Sequence, residues 1–143
     1  DSTLRVPHKA RVTEVDPECR TLIATTERAA MAQQEVLQAR GVEIVRLPAY
    51  EDGTVDVEAL LRYLGGRGVA SILVEGGARL TATLVQRRLL DKLLLFLAPK
   101  IIGGDGISWV APWGVETMDQ VACFQQVTGH KIGEDFLLEA YPA

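Results

Sequence analysis

Apolar and polar positions along the chain fall into two regimes. In the first, Thr21-Leu-Ile-Ala-Thr25 reads as a short strand. Thr26 offers an N-cap and Glu27 an acid in the first turn of a helix that runs to about Arg40, where Gly41 stops it. Val42-Glu-Ile-Val-Arg-Leu47 is the next strand, and Pro48 and Asp52-Gly53 mark a loop. Asp56 caps a short helix in which Val57, Leu60, Leu61 and Leu64 follow i, i+3, i+4, i+7 spacing, and Gly65-Gly66 ends it. Val69 to Val74 is nearly all apolar, as in the buried middle of a parallel sheet. A third helix spans Ala78 to about Arg88. This β-α-β-α-β-α order calls for a parallel sheet with helices on its faces and right-handed crossovers.

The second regime begins after Asp91. Lys92-Leu-Leu-Leu-Phe-Leu-Ala-Pro-Lys-Ile-Ile102 reads as a long strand with no helix directly behind it, followed by a glycine-rich loop, residues 103–114. Two strand-like runs follow, Ala122–Val127 and Asp135–Tyr141, joined through Gly129 to Gly133. In the second run Phe136, Leu138 and Ala140 share one face. The fold class is therefore α/β: a mostly parallel sheet flanked by helices, closed by a C-terminal antiparallel hairpin.

The 143 residues are enough for one domain, 1–143, with its own core. Hydrophobic residues at 48% and charged residues at 24% place the chain among ordinary globular proteins. A net charge of -4 argues against a broad nucleic-acid or anionic-membrane surface. Two cysteines, Cys19 and Cys123, without a CxxC or a histidine cluster, argue against a disulfide framework or a structural metal and suit a reducing cytoplasm. No signal peptide is evident, and the longest apolar run, Leu93 to Pro99, is too short to span a bilayer. Residues 1–20 are polar and irregular, with Pro7 and Pro17, and the opening Asp-Ser without a Met suggests a piece of a longer chain.

The candidate chemistry lies in Ser71-Ile-Leu-Val-Glu-Gly-Gly-Ala-Arg-Leu80. Open α/β sheets bind ligands at the carboxyl ends of their strands, where Glu75 falls. Gly76 and Gly77 lie where a helix begins, so free N–H groups and the positive end of its dipole suit a phosphate. Thr81 and Thr83 offer hydroxyl donors and Arg79 a charge. The motif is not GxGxxG, so the common dinucleotide fingerprint is absent. Taken alone, Glu-Gly-Gly reads equally well as a turn with a solvated acid. A working Glu75 would accept hydrogen bonds from a substrate's amino, imide or hydroxyl groups, or steer a proton.

"SILVEGGARLTATLVQRRLLDKLLLFLAPKIIGG", together with "TLIATTERA", "GVEIVRLPAYEDGTVDVEALLRYLGGRGV" and "GEDFLLEAYPA", resembles the reductase domain of the bifunctional riboflavin-biosynthesis deaminase/reductase, in the family's order over essentially the whole chain. The resemblance implies a dihydrofolate-reductase-like fold in the cytoplasm. It also implies NADPH-dependent reduction of 5-amino-6-(5-phosphoribosylamino)uracil to the ribitylamino compound. It maps the cofactor phosphates onto Gly76, Gly77, Ala78, Arg79, Leu80, Thr81 and Thr83, a substrate contact onto Glu75, and a serine near NADPH onto Ser2. It gives no catalytic residue and no metal. It implies a homodimer, and a parent chain able to carry a zinc deaminase domain. The family's strands before Asp-Ser, with residues that grip the substrate's phosphate and ribose, are not among these 143 residues, so a reductase domain lacking its N-terminal strands is expected. Two alternatives stay open: another pterin or pyrimidine reductase on this scaffold, and a non-catalytic dinucleotide-binding or dimerisation module.

Other residues carry less. Thr25 and Thr26 lie at a strand's carboxyl end, within reach of the adenosine half of NADPH, and read equally as helix caps. Arg87 and Arg88 read as a solvated helix face, the alternative being the cofactor 2′-phosphate. Asp91 reads as a turn residue, Lys100 as an edge-strand lysine, and His8 and His130 as surface residues. Trp109 and Trp113 are expected to pin the glycine-rich loop to the core or a dimer surface.

Overall fold

A computed structural model describes residues 1–14 and 19–143; Pro17 lies outside the described residues. The chain forms two compact units, Asp1–Ile72 and Leu73–Ala143.

In the first unit, β1 (Leu22–Thr25) pairs in parallel with β2 (Glu43–Arg46), residue for residue from Leu22↔Glu43 to Thr25↔Arg46. Between them runs α1 (Met31–Ala39), and α2 (Val57–Gly66) follows β2. Leu4, Ala29, Leu37 and Val42 form the core, with Val6, Ile23 and Ile44 packed against it.

The start of α1 differs from the sequence expectation, being Met31 rather than the residues directly after Thr26. The reason is long-range. The Thr26 hydroxyl donates to the Ser2 carbonyl at 2.7 Å, so it serves the N-terminal segment instead of a helix. Residues 26–29 form a turn closed by the Ala29 N–H on the Thr26 carbonyl. The Glu27 carboxylate pairs with Arg46 at 2.9 Å rather than sitting in the first helical turn.

Asp56 caps α2 as expected, its side chain accepting from the Ala59 N–H at 3.0 Å. Gly65-Gly66, however, does not end that helix. The left-handed position falls on Gly68, φ +82°, and the Val69 N–H reaches back to the Leu64 carbonyl. Helix α1 closes identically, with Gly41 at φ +87° and Val42 on the Leu37 carbonyl. Both are six-residue C-terminal closures that need one left-handed residue.

The run Val69–Val74, expected as a central parallel strand, has no ladder partner among the described residues, and the parallel sheet has two strands. A central strand needs neighbours on both edges. Without them the run's side chains stay open, Leu73 being 74% exposed.

The second unit contains α3 (Ala78–Gln86) and the strands β3 (Leu93–Leu97), β4 (Phe124–Ile132) and β5 (Asp135–Pro142), ordered β3-β5-β4 and all antiparallel. Ala82, Leu84 and Val85 bury one side of α3. The helix ends with the same closure, Leu89 N–H on the Leu84 carbonyl, but here the left-handed residue is Arg88, φ +54°. A side chain in that conformation costs about 1 kcal/mol. Arg88→Gly is therefore expected to stabilise the protein by roughly 0.5–1 kcal/mol, read as a raised urea midpoint at unchanged slope.

Strand β3 stops at Leu97 rather than continuing to Ile102, because Pro99 brings no N–H to a ladder. The C-terminal hairpin turns at Gly133-Glu134, not over Gly129 to Gly133. Gly129 is a strand residue opposite Leu138, and a β-carbon on it would lie 2.3 Å from the Phe136 ring. The glycine thus makes room for an aromatic ring that covers the backbone. A bulge at Gln126-Val127 separates the pairs Gln125↔Tyr141 and Thr128↔Glu139.

Lys92 and Glu139 form an ion pair on the β3–β5 face, and Lys92 lies 5.5 Å from the centre of the Tyr141 ring. The hydrogen bond from Lys92 holds the Glu139 carboxyl below its ordinary range. A carboxylate lowered by folding adds stability above its unfolded pKa and loses it as pH falls through the folded one. Glu139→Gln is therefore expected to flatten the acid limb of the stability curve, measured by urea unfolding from neutral to acid pH.

Candidate functional site

The second unit presents Glu75-Gly76-Gly77 directly before α3, with Gly77 as N-cap. No side chain caps this helix and its first turn holds no acid. The N–H groups of Ala78, Arg79 and Leu80 therefore lack intrahelical acceptors, and the positive end of the dipole is not neutralised. A β-carbon on Gly77 would meet nothing within 4 Å, whereas one on Gly76 would touch Leu80 at 3.4 Å. Protein packing thus does not require glycine at Gly77. The space above it is open, as close approach of a phosphate needs.

The hydroxyls of Thr81 and Thr83 point back along the helix, donating to the Gly77 carbonyl at 3.4 Å and the Arg79 carbonyl at 3.0 Å. They would have to rotate to serve as ligand donors. Glu75 is exposed at the end of the unpaired run. The glycine-rich loop is tied to this helix start by the Ala111 N–H on the Ala78 carbonyl at 3.0 Å, a contact with no signal in the sequence. Ile101 and Ile107 on the loop are each 99% exposed.

Ser2 belongs to the first unit and organises the carboxyl end of β1. Its carbonyl accepts from the Thr26 N–H and from both threonine hydroxyls, Thr25 and Thr26. Its own hydroxyl oxygen accepts from the Val55 N–H at 3.0 Å, which leaves the hydroxyl proton free to donate. Thr25 and Thr26 are buried, so their side chains are spent on Ser2 rather than presented to a ligand.

The second unit also holds a cavity of about 650 Å³ lined by residues including Arg88, Trp113, Asp119, Cys123 and Phe124. It includes none of the residues Glu75 to Thr83. Trp113 thus lines this cavity, while Trp109 is half exposed. Both cysteines are exposed, and His130 faces Glu139 at 3.9 Å. Among the described residues no cluster of His, Cys, Asp and Glu suits a metal, and no helix is long and apolar enough to cross a membrane.

The arrangement is that of a mixed α/β protein, and known proteins share the fold. A solved structure of RibD from Acinetobacter baumannii superposes on the chain with a TM-score of 0.79 at 22% identity, covering all of it and 36% of that protein. The fold is the dihydrofolate-reductase-like one that the sequence resemblance implies. The family model of the RibD C-terminal domain matches residues 1–138. The chain belongs to that family.

Among its relatives is a 2,5-diamino-6-ribosylamino-4(3H)-pyrimidinone 5′-phosphate reductase of Aquifex aeolicus. It is 39% identical over 106 residues, 74% of this chain and 46% of that protein. The riboflavin biosynthesis protein RibD of Actinobacillus pleuropneumoniae is 29% identical over 140 residues, 97% of this chain and 37% of that protein. The chain spans less than half the length of these two relatives.

Proposed function

We propose that the chain works as a single reductase domain that reduces 5-amino-6-(5-phosphoribosylamino)uracil to its ribitylamino product with NADPH, in riboflavin biosynthesis in the cytoplasm. The observation that carries the reading is the uncapped start of α3 beneath the open Gly77, in a chain of the RibD C-terminal domain family.

The residues fit a dinucleotide. The backbone N–H groups of Ala78, Arg79 and Leu80 take the cofactor's phosphates over Gly76-Gly77, and the Thr81 and Thr83 hydroxyls in the first turns of α3 are further cofactor contacts. The Ser2 hydroxyl donates to the cofactor while Val55 fixes its oxygen. NADPH supplies the hydride. Glu75 accepts hydrogen bonds from the substrate's amino and imide groups and so orients the opened sugar for reduction.

The names of the relatives support a phosphorylated ribosylaminopyrimidine over a pterin, the Aquifex aeolicus protein being named for the 2,5-diamino pyrimidinone, a close analogue of the uracil. The protein is proposed to act as a homodimer. The edge strand β3 leaves Leu94, Phe96 and Leu97 exposed, a surface that a partner would cover. The parent protein is proposed to carry a deaminase domain, as suits the RibD names of its relatives.

The test is steady-state oxidation of NADPH by the full-length protein on addition of the phosphoribosylaminopyrimidine. Turnover with that compound and none with a pterin supports the reading. Turnover with the pterin alone replaces it by the other reductase.

A further inference from the structure

We propose that Arg28 is a phosphomonoester contact at the carboxyl end of the β1–β2 pair, the place where open α/β sheets meet their ligands. The inference rests on the NADPH reading above and extends it to the group that distinguishes NADPH from NADH.

Two guanidinium groups stand at that end of the pair, Arg28 just after β1 and Arg46 at the end of β2. Arg46 is consumed. Its Nε donates to Gln34 at 2.9 Å and its Nη1 to Glu27 at 2.9 Å. Its Nη2 donates to the Ala29 carbonyl at 3.1 Å and to the Met31 sulfur at 2.9 Å. It locks the segment after β1 with four of its five N–H groups and spends its charge on Glu27.

Arg28 is the opposite case. It is exposed, and its side chain donates to one neutral acceptor, the Gly53 carbonyl, at 3.3 Å. No carboxylate among the described residues forms an ion pair with it, since neighbouring Glu27 is taken by Arg46. It thus has no ion-pair partner among the described residues, and its position is held against the loop that carries Glu51 and Asp52. Gly53 sits at φ +77°, and a β-carbon there would lie 2.0 Å from Nη1. The loop under Arg28 is itself closed, Tyr50 N–H on the Thr54 carbonyl and Gly53 N–H on the Tyr50 carbonyl. Asp52 accepts from both the Thr54 N–H and its hydroxyl. A positioned guanidinium fork without an ion-pair partner among the described residues, and with one side-chain donation to protein, matches a phosphate monoester dianion. Two such groups belong to the proposed reaction: the 2′-phosphate of NADPH and the 5-phosphate of the substrate.

The experiment measures dissociation constants for NADPH and NADH by nicotinamide fluorescence on the full-length protein, with substrate KM alongside. Wild type, Arg28→Gln, Gly53→Ala and Arg46→Gln are compared. A loss for NADPH on the order of tenfold in Arg28→Gln, with NADH unchanged, places the 2′-phosphate there. A similar rise in substrate KM with both nucleotides, and unchanged nucleotide binding, places the substrate phosphate there. Gly53→Ala, which displaces the guanidinium, is expected to show the same selective loss. Arg46→Gln is expected to lower the melting temperature and leave both ratios alone. Unchanged affinities and KM in Arg28→Gln overturn the proposal alone, as does a selective loss confined to Arg46→Gln. A wild-type protein that binds no NADPH overturns the NADPH reading itself.

Discussion

Gly77→Asp is expected to weaken NADPH binding at least about a hundredfold in a protein that still folds. An aspartate at this position places a carboxylate beside the free N–H groups of α3's first turn. The same carboxylate occupies the open space above Gly77 and takes the donors that a phosphate would use. A hydrogen bond to a charged group is worth about 1.5–3 kcal/mol, and repulsion between two negative groups about 4 Å apart adds about 4 kcal/mol near a protein surface. A loss of about 3 kcal/mol already exceeds a hundredfold. Nicotinamide fluorescence titration and thermal unfolding of the same preparation read binding and folding. If the variant binds NADPH as wild type does, the turn is only a turn.

Glu75→Gln is the second large effect. Glu75 is exposed and forms no ion pair among the described residues, so the change is expected to leave stability within about 0.5 kcal/mol. If the carboxylate receives the substrate's amino and imide donors, losing its charge removes about 1.5–3 kcal/mol. The expected result is a fall in kcat/KM for the phosphoribosylaminopyrimidine of about ten- to a hundredfold, with NADPH affinity unchanged. A matching loss of NADPH affinity would move Glu75 from the substrate to the cofactor. Unchanged kinetics would make it a solvated turn residue.

The sequence disclosed the elements governed by local chemistry. Asp56 was legible as a cap because an acid one residue before an apolar helical stripe has a short-range job. Gly41 was legible as a helix stop because its left-handed conformation depends on its own backbone. The antiparallel closure was legible from Phe136, Leu138 and Ala140, and the pairing puts all three on one face.

What escaped depends on partners far along the chain. Thr26 looks like a cap until Ser2, 24 residues earlier, takes its hydroxyl. Gly129 looks like a turn until the Phe136 ring is seen over it. Gly65-Gly66 outbid Gly68 by number alone, although the single Gly68 holds the left-handed position. The run Val69–Val74 has the composition of a buried strand, and composition does not supply neighbours. Near the candidate site, the helix start after Gly76-Gly77 was legible because a helix start is set by local backbone, whereas Glu75 closes a run that is no ladder strand among the described residues. The Arg28–Gly53 contact was not legible, because nothing in an isolated Arg or an Asp-Gly turn says that they meet.

The central claim is that hydride passes from NADPH to the opened sugar of a phosphoribosylaminopyrimidine on this protein. The most direct measurement is mass spectrometry of the product formed by the full-length protein from that substrate and NADPH deuterated at both C4 positions. One deuterium on the first carbon of a ribityl chain is the predicted result. No ribitylamino product, or product without deuterium, would contradict the account.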